Sequence, residues 1–149
     1  MLIGLGGEKH EVNDRLMRYA LCHGPVLVLD CANAANAHGW FHLLPDERRF
    51  ALVDVMTVEV IYTLRDVLII MGGLRAVREV IVTTFSGLFH YGDPIENRDV
   101  TEHLWELMKT LGANGEVIVG VKEDDRNARK YCDAVYSVKQ WDTQYGAKG

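Results

Sequence analysis

Hydrophobic residues in this chain form short continuous runs, and these runs alternate with longer stretches of mixed polarity. Six runs rich in β-branched and aromatic residues predict strands, at residues 2–5, 26–29, 55–62, 79–85, 116–121 and 134–138. Uninterrupted apolar strands are typical of a parallel sheet that is buried on both faces. The pattern therefore favours a parallel sheet over an antiparallel one.

Apolar positions at helical spacing predict three helices between these strands, at residues 13–21, 63–74 and 99–111. Thr63 to Asp66 has the form of a capping box that would begin the second helix. The apolar face expected for that helix consists of Val67, Leu68, Ile70, Met71 and Leu74. Residues 31–50, which Gly39 and Pro45 interrupt, are interpreted as a connecting or functional loop.

Alternation of strands and helices requires crossover connections, and it predicts an α/β fold with three layers. In this fold a mostly parallel sheet carries helices on both faces. The length of 149 residues suits one domain, which we assign to residues 1–140, with residues 141–149 as a tail that frays. Ligands are expected beyond the carboxyl ends of the strands.

Composition and charge exclude several classes of protein. Hydrophobic residues make up 48% of the chain and charged residues 25%, which is typical of a folded domain. The net charge of −5 gives no general attraction for nucleic acid or anionic membranes. No apolar run approaches the length of a membrane span, and the first residues lack the features of a signal peptide. We therefore expect a cytoplasmic protein with no membrane association.

The three cysteines, Cys22, Cys31 and Cys132, are odd in number and widely spaced, without a Cys-x-x-Cys motif. This pattern indicates neither a disulfide framework nor a zinc site. We expect three reduced thiols.

Several segments together carry a resemblance to a known family. The first strand leads into a glycine loop at 4–7, and the second strand ends in Asp30. The third strand leads into a helix, and the fourth continues into the loop that follows it, over residues 81–89. In order and spacing, over nearly the whole chain, this resembles the ATPase core of the RecA/RadA/KaiC superfamily. The resemblance implies a RecA-like fold, with nucleotide bound near Gly6, Gly7 and Lys9, and Asp30 beside it.

The motifs of that family are altered in this chain. A Walker A loop needs Gly-x-x-x-x-Gly-Lys-Ser/Thr, so that backbone amides and the lysine hold phosphate and the hydroxyl binds magnesium. Here Glu8 replaces the glycine that precedes the lysine of the motif, and His10 replaces its serine or threonine. The fourth strand ends in Thr83 and Thr84 instead of the Walker B aspartate. The segment after Asp30 also lacks the glutamate that activates water.

These changes predict a degenerate RecA-like protein with no catalytic residues, no metal site and no resident cofactor. The resemblance then implies a non-hydrolysing binding or regulatory partner, in DNA recombination or repair or in a KaiC-like assembly. Its partner would be another protein, such as an active RecA-family ATPase or a second copy of the chain. Trp40 and Phe41, an aromatic pair in a loop, are the preferred partner-binding residues, together with Phe89 and Tyr91 in the loop 86–98.

Two alternative functions stay open. One is a nucleotide-binding protein or ATPase with an unorthodox loop, in which Lys9 reaches the phosphates of ATP and Asp30 holds magnesium. The other is a magnesium-dependent nuclease of PIN/NYN type, centred on Asp30, Asn33 and Asp124, because such enzymes gather carboxylates around the metal after a strand.

Three weaker patterns are explained more simply by ordinary surface structure. His38 and His42 have the spacing of metal ligands on a helix, but Gly39 and Pro45 disfavour a helix there. Ser86, His90 and Asp93 have the residue types of a catalytic triad without the sequence around the serine that such sites need. The charged run 122–130 is interpreted as a solvated turn, with anion binding as the alternative.

Overall fold

We describe the protein from a computed structural model, in which residues 1–42, 53–74, 79–88 and 93–146 are described. The strands are β1 (Leu2–Gly6), β2 (Val26–Cys31), β3 (Val53–Val58), β4 (Glu79–Val82), β5 (Val117–Val121) and β6 (Ala134–Ser137). The helices are α1 (Lys9–Cys22), α2 (Ala37–His42), α3 (Ile61–Gly73), α4 (Pro94–Gly112), α5 (Arg126–Tyr131) and α6 (Val138–Trp141). A 3-10 turn spans Ser86–Leu88, and a π-helical turn spans Asp142–Gly146.

The six strands form one sheet in the order β3-β2-β4-β5-β1-β6, and every pair in it is parallel. β1 lies inside the sheet, where Leu2 pairs with Val117 and Ile3 pairs with Ala134. All residues of β1 and β5 are buried, as the continuous apolar runs predict.

Helices cover both faces of the sheet. On one face α3, α4 and α5 contribute Leu68, Leu104 and Ala128 to the core. On the other face α1 and α6 contribute Leu16 and Trp141. The predicted fold class, a three-layer α/β domain consistent with the RecA-like or Rossmann type, is therefore confirmed.

The start of α3 differs from the prediction. The helix begins at Ile61 after Val60, which has no side-chain cap, so the expected capping box at Thr63 is wrong. Ile61, Leu64, Leu68 and Met71 form its buried face, while Ile70 is 61% exposed and Leu74 is 70% exposed. Two residues assigned to the core by periodicity therefore lie on the surface, because α3 is apolar on more than one side.

The segment 141–146, expected to fray, is helical in the structure. Trp141 is only 2% exposed, and its ring packs against those of Tyr19 and Tyr145. Burial of an aromatic side chain of this size stabilises the segment on α1. Residues 147–149 lie outside the described residues.

Two further segments contain helices that the sequence did not indicate. α2 lies within the stretch interpreted as a loop, and α5 begins within the charged run 122–130 and ends at Tyr131. Asp125 begins α5, since its Oδ1 accepts a hydrogen bond from the Ala128 amide at 3.0 Å. Among the helices in the described ranges, none is long and apolar enough to cross a membrane.

Candidate functional site

The main candidate site is a cavity at the carboxyl ends of β1, β4 and β5. Its volume is about 310 Å³. β1 and β5 are neighbours in the sheet, but the chain leaves β1 for α1 on one face and β5 for α5 on the other. Ligands of open α/β sheets bind in the crevice that opens at such a reversal. The cavity therefore lies where the topology favours a binding site.

Aromatic side chains form the apolar wall of the cavity. Phe85 follows β4, and Trp105 reaches the same space from α4. The two ring centroids lie 6.2 Å apart, and the ring of Tyr131 is stacked on Trp105 with its centroid at 6.1 Å. This packing gives the cavity a rigid apolar wall.

Two lysines stand beside the cavity on adjacent strand ends. Lys9 is the first residue of α1, and Lys122 directly follows β5. Both side chains are exposed, and neither has an ion pair with any described residue. Of the residues predicted to bind nucleotide, Lys9 and Gly7 line the cavity.

The amino end of α1 is capped by the chain's own carboxylate. Glu8 Oε2 accepts a hydrogen bond from the backbone amide of Glu11 at 3.1 Å. Hydrogen bonds from the amides of His10 and Glu11 hold the pKa of Glu8 below its ordinary value of 4.5. A helix amino end is the usual place for a phosphate because its amides have no partner in the helix. Here a carboxylate already occupies that position.

The glycines of this loop have packing reasons to be glycine. Gly7 has φ +156°, and a Cβ there would lie 3.0 Å from Cγ2 of Val138 on α6. A Cβ on Gly6 would lie 3.2 Å from the carbonyl oxygen of Lys122. Close approach of neighbouring elements therefore accounts for both residues without a bound phosphate.

Asp30 is fully buried and is bonded within the protein. Its Oδ1 accepts from the Ala35 amide at 3.0 Å, and its Oδ2 accepts from the Ala37 amide at 2.9 Å. The Thr83 hydroxyl lies 3.4 Å from Oδ1. Asp30 does not line the cavity, and these contacts hold the segment that links β2 to α2.

That segment includes a tight turn with left-handed backbone. Ala32 and Asn33 have φ of 53° and 52°, and the Ala34 amide donates to the Cys31 carbonyl at 3.0 Å. Two consecutive residues with positive φ are typical of a type I′ turn. Left-handed backbone is costly for alanine, so the Asp30 carboxylate stabilises a strained connection.

The two threonines after β4 are also engaged. Thr83 Oγ1 accepts from the Cys31 amide at 2.8 Å, which joins the end of β4 to the end of β2. Thr84 exchanges hydrogen bonds with Asn13 of α1: Asn13 Nδ2 donates to Thr84 Oγ1 at 3.2 Å, and the Thr84 amide donates to Asn13 Oδ1 at 3.4 Å.

The sequence analysis missed this polar network. The sequence signal that could have revealed it is two threonines at the end of an apolar strand. A buried polar side chain needs a partner, and that requirement points to structural hydrogen bonds.

No group of three His, Cys, Asp or Glu side chains suited to hold a metal occurs among the described residues. Asp30 and Asp124 are predicted to meet in the nuclease alternative. Asp30 lies in β2 and Asp124 follows β5, and β4 lies between those strands. His38 is exposed on α2, while the side chain of His42 lies outside the described residues. His90, which belongs to the catalytic-triad alternative, also lies outside the described residues.

The predicted partner-binding residues are only partly described. Trp40 is half-buried on α2, with the Arg18 guanidinium 5.6 Å from its ring centroid. It lines a groove of about 1030 Å³ between α1 and the C-terminal turn. The side chain of Phe41 and residues Phe89 and Tyr91 lie outside the described residues. The sequence did not indicate that Ile69 and Ile70 of α3 and the adjoining Leu74 are exposed.

The thiols of Cys31 and Cys132 have no sign of nucleophilic activation. Burial raises the pKa of Cys31 to about 12 and the pKa of Cys132 to about 12. A reactive cysteine needs the opposite shift, because the thiolate is the nucleophile. Cys31 and Cys132 therefore act as packing residues.

The fold and the cavity together define a three-layer, parallel α/β protein with a small crevice at the reversal of its chain. No protein-family model matches the sequence, and no curated protein is significantly similar to it.

Proposed function

We propose that this chain is a non-hydrolysing binding or regulatory protein built on a RecA-like α/β scaffold. The observation that carries the proposal is the Glu8 carboxylate at the amino end of α1, bonded to the Glu11 amide. A triphosphate placed there would meet a fixed negative charge and amides that already have a partner. The chain keeps the loop between β1 and α1 but fills its anion position itself.

The end of β4 supports the same conclusion. Magnesium held for phosphoryl transfer needs an oxygen ligand with negative charge near the phosphates. The resemblance would assign that place to Thr83 and Thr84, and both use their hydroxyl groups in hydrogen bonds inside the protein. The cavity can bind a molecule, but its described walls do not assemble the groups that hydrolysis requires.

A protein partner is the second part of the proposal. Ile69 and Ile70 of α3 and the adjoining Leu74 are exposed, and apolar surface of this kind is commonly buried by another protein. An active RecA-family ATPase or a second copy of this chain would be such a partner, within a cytoplasmic assembly for DNA recombination or repair or one of KaiC type.

The decisive experiment measures ATP hydrolysis and thermal unfolding with ATP and Mg²⁺. We expect no phosphate release above buffer and no shift in Tm for the wild type at millimolar ATP. A bound ligand at 100 times its Kd would stabilise the fold by about 2.7 kcal/mol, so binding would be visible. A shift that Lys9→Ala abolishes would overturn the proposal in favour of nucleotide binding.

A matched pair of variants tests the role of Glu8 itself. Glu8→Gly removes the cap and frees the amides of α1, so inorganic phosphate should then stabilise the protein. Glu11→Ser removes an equal charge from the same turn but leaves the cap, and it should gain no phosphate dependence. Equal behaviour of the two variants would show that the Glu8 carboxylate does not block the site.

A further inference from the structure

The cavity at the ends of β1, β4 and β5 has a specific chemical character that goes beyond a general binding role. Among the described residues, three charged ones line it: Lys9, Lys122 and Asp125. We propose that it binds a small monoanion with a flat aromatic body, of the aromatic carboxylate class. The proposal rests on the proposed function, since such a ligand is bound and released unchanged.

The size and the walls determine the body of the ligand. A volume of about 310 Å³ is at the lower limit of ordinary ligand cavities, which span roughly 300–1,000 Å³. Phe85, Trp105 and Val121 are buried residues that supply its apolar lining. Trp105 is held between Phe85 and Tyr131 and is only 1% exposed, so its edge is a rigid part of the cavity wall.

The charges determine the head of the ligand. Lys9 and Lys122 contribute two positive charges, and Asp125 contributes one negative charge. Oδ1 of Asp125 already accepts a hydrogen bond from the Ala128 amide. The net charge of the described residues that line the cavity is one positive charge, which matches one carboxylate. A triphosphate would carry a large excess of negative charge, and the Glu8 carboxylate stands just before Lys9.

The two lysines are placed to meet a single group. Lys9 follows β1 and Lys122 follows β5, and these two strands are neighbours in the sheet. A hydrogen bond from the Gly7 amide to the Val121 carbonyl, at 3.2 Å, joins the backbone just before the two lysines. Each ammonium has three donors on a flexible stem and no ion pair with a described residue. Both can therefore turn toward a carboxylate at the mouth of the cavity.

The test compares 1-naphthoate with 1-naphthamide, a neutral molecule of nearly the same shape, by calorimetric titration of the intact chain. We expect saturable binding of naphthoate and binding of naphthamide that is about tenfold weaker or more, because charge-assisted hydrogen bonds are stronger. Lys122→Met should lower the affinity for naphthoate by about tenfold and leave the affinity for naphthamide unchanged. Lys139→Met, an exposed lysine on α6, should change neither affinity.

A second variant tests the location. Ser86 is exposed and lines the cavity, so Ser86→Trp should fill its mouth and abolish naphthoate binding. Thermal unfolding of each variant verifies that the fold is retained. Absence of saturable naphthoate binding, equal affinity for the two probes, or an unchanged affinity in Lys122→Met or Ser86→Trp would each overturn the inference.

The ATP experiment separates this result from the proposed function. If ATP neither binds nor is hydrolysed and naphthoate also fails to bind, only the ligand class is wrong. If ATP with Mg²⁺ binds in a manner that depends on Lys9, the proposed function fails, and the inference built on it fails as well.

Discussion

Arg15 and Asp142 form a two-point ion pair that joins α1 to the C-terminal turn. The Nε atom of Arg15 donates to Oδ1 of Asp142 at 2.8 Å, and Nη2 donates to Oδ2 at 3.0 Å. The planar guanidinium fits a carboxylate in this arrangement. The pair fixes the residue next to Trp141, whose ring is buried against α1.

The ion pair predicts a stability that depends on pH. Arg15 holds the pKa of Asp142 below its ordinary value of 3.8. A carboxylate with a lowered pKa in the folded state stabilises the fold above its unfolded pKa, and this contribution is lost as the pH falls through the folded pKa. Asp142→Asn should lower the free energy of unfolding by about 0.5–1 kcal/mol at pH 7, as for other exposed pairs.

Urea unfolding at pH 7 and at several values below pH 4 provides the measurement. The difference between Asp142→Asn and the wild type should shrink as the pH falls below 4. Asp66→Asn is the control, because Asp66 lies 3.9 Å from Arg65 with a largely exposed side chain. A difference that does not depend on pH would show that the ion pair is not its cause.

Thr83 should contribute more to stability than an exposed threonine. Thr83→Val keeps the shape of the side chain but leaves the buried Cys31 amide without its acceptor at 2.8 Å. An unsatisfied buried donor costs about 1–3 kcal/mol. Thr110→Val changes an exposed threonine of α4 in the same way, and it should cost less than about 0.5 kcal/mol. Equal losses in chemical denaturation would contradict the structural role of Thr83.

The two sides of α3 should respond differently to truncation. Leu68 is 1% exposed, so Leu68→Ala should lower the free energy of unfolding by about 2–5 kcal/mol. Ile70 is largely exposed, and Ile70→Ala should stay within about 0.5 kcal/mol of the wild type. Urea denaturation of the isolated chain measures both. A large loss in Ile70→Ala would mean that this side of α3 is covered.

Two helical glycines should give changes of opposite sign. A Cβ on Gly72 of α3 meets nothing within 4 Å, so Gly72→Ala should stabilise the protein by about 0.5–1 kcal/mol. A Cβ on Gly112 would lie 3.0 Å from the Leu2 amide nitrogen and 3.1 Å from the Met1 carbonyl carbon. Gly112→Ala should destabilise the protein by about 1–3 kcal/mol in thermal unfolding. A stable Gly112→Ala protein would show that the first residues can move aside.

The fold class was predictable because the strands carry a strong local signal. The runs ending at Asp30 and Val121 are too apolar for any position except the interior of a parallel sheet. The buried face of α3 was not predictable, since Ile69 and Ile70 follow Leu68 and periodicity alone cannot select among them. The packed C-terminal turn was missed because Trp141 finds its neighbours only in the tertiary structure.

The candidate site also has features that the local sequence predicts and features that depend on the tertiary structure. Sequence alone identified the glycine loop before Lys9 and the acidic residue Glu8 within it, both of which are local features. It did not reveal that Glu8 caps α1 or that Lys122 approaches the same cavity, because those relationships depend on helix geometry and strand order. Asp30 was assigned to ligand binding from its place at a strand end, whereas its hydrogen-bond partners are the amides of Ala35 and Ala37.

The position of β1 inside the sheet has a consequence for how the protein is made. β1 is synthesised before both of its neighbours in the sheet, β5 and β6, and β2, β3 and β4 lie between them in the sequence. Contacts between residues so far apart in sequence carry a large loop-closure cost and slow the folding of a domain. The nascent chain therefore carries an apolar strand with both edges unpaired until residues beyond 117 have left the ribosome, and completion of the sheet is a late event in its biogenesis.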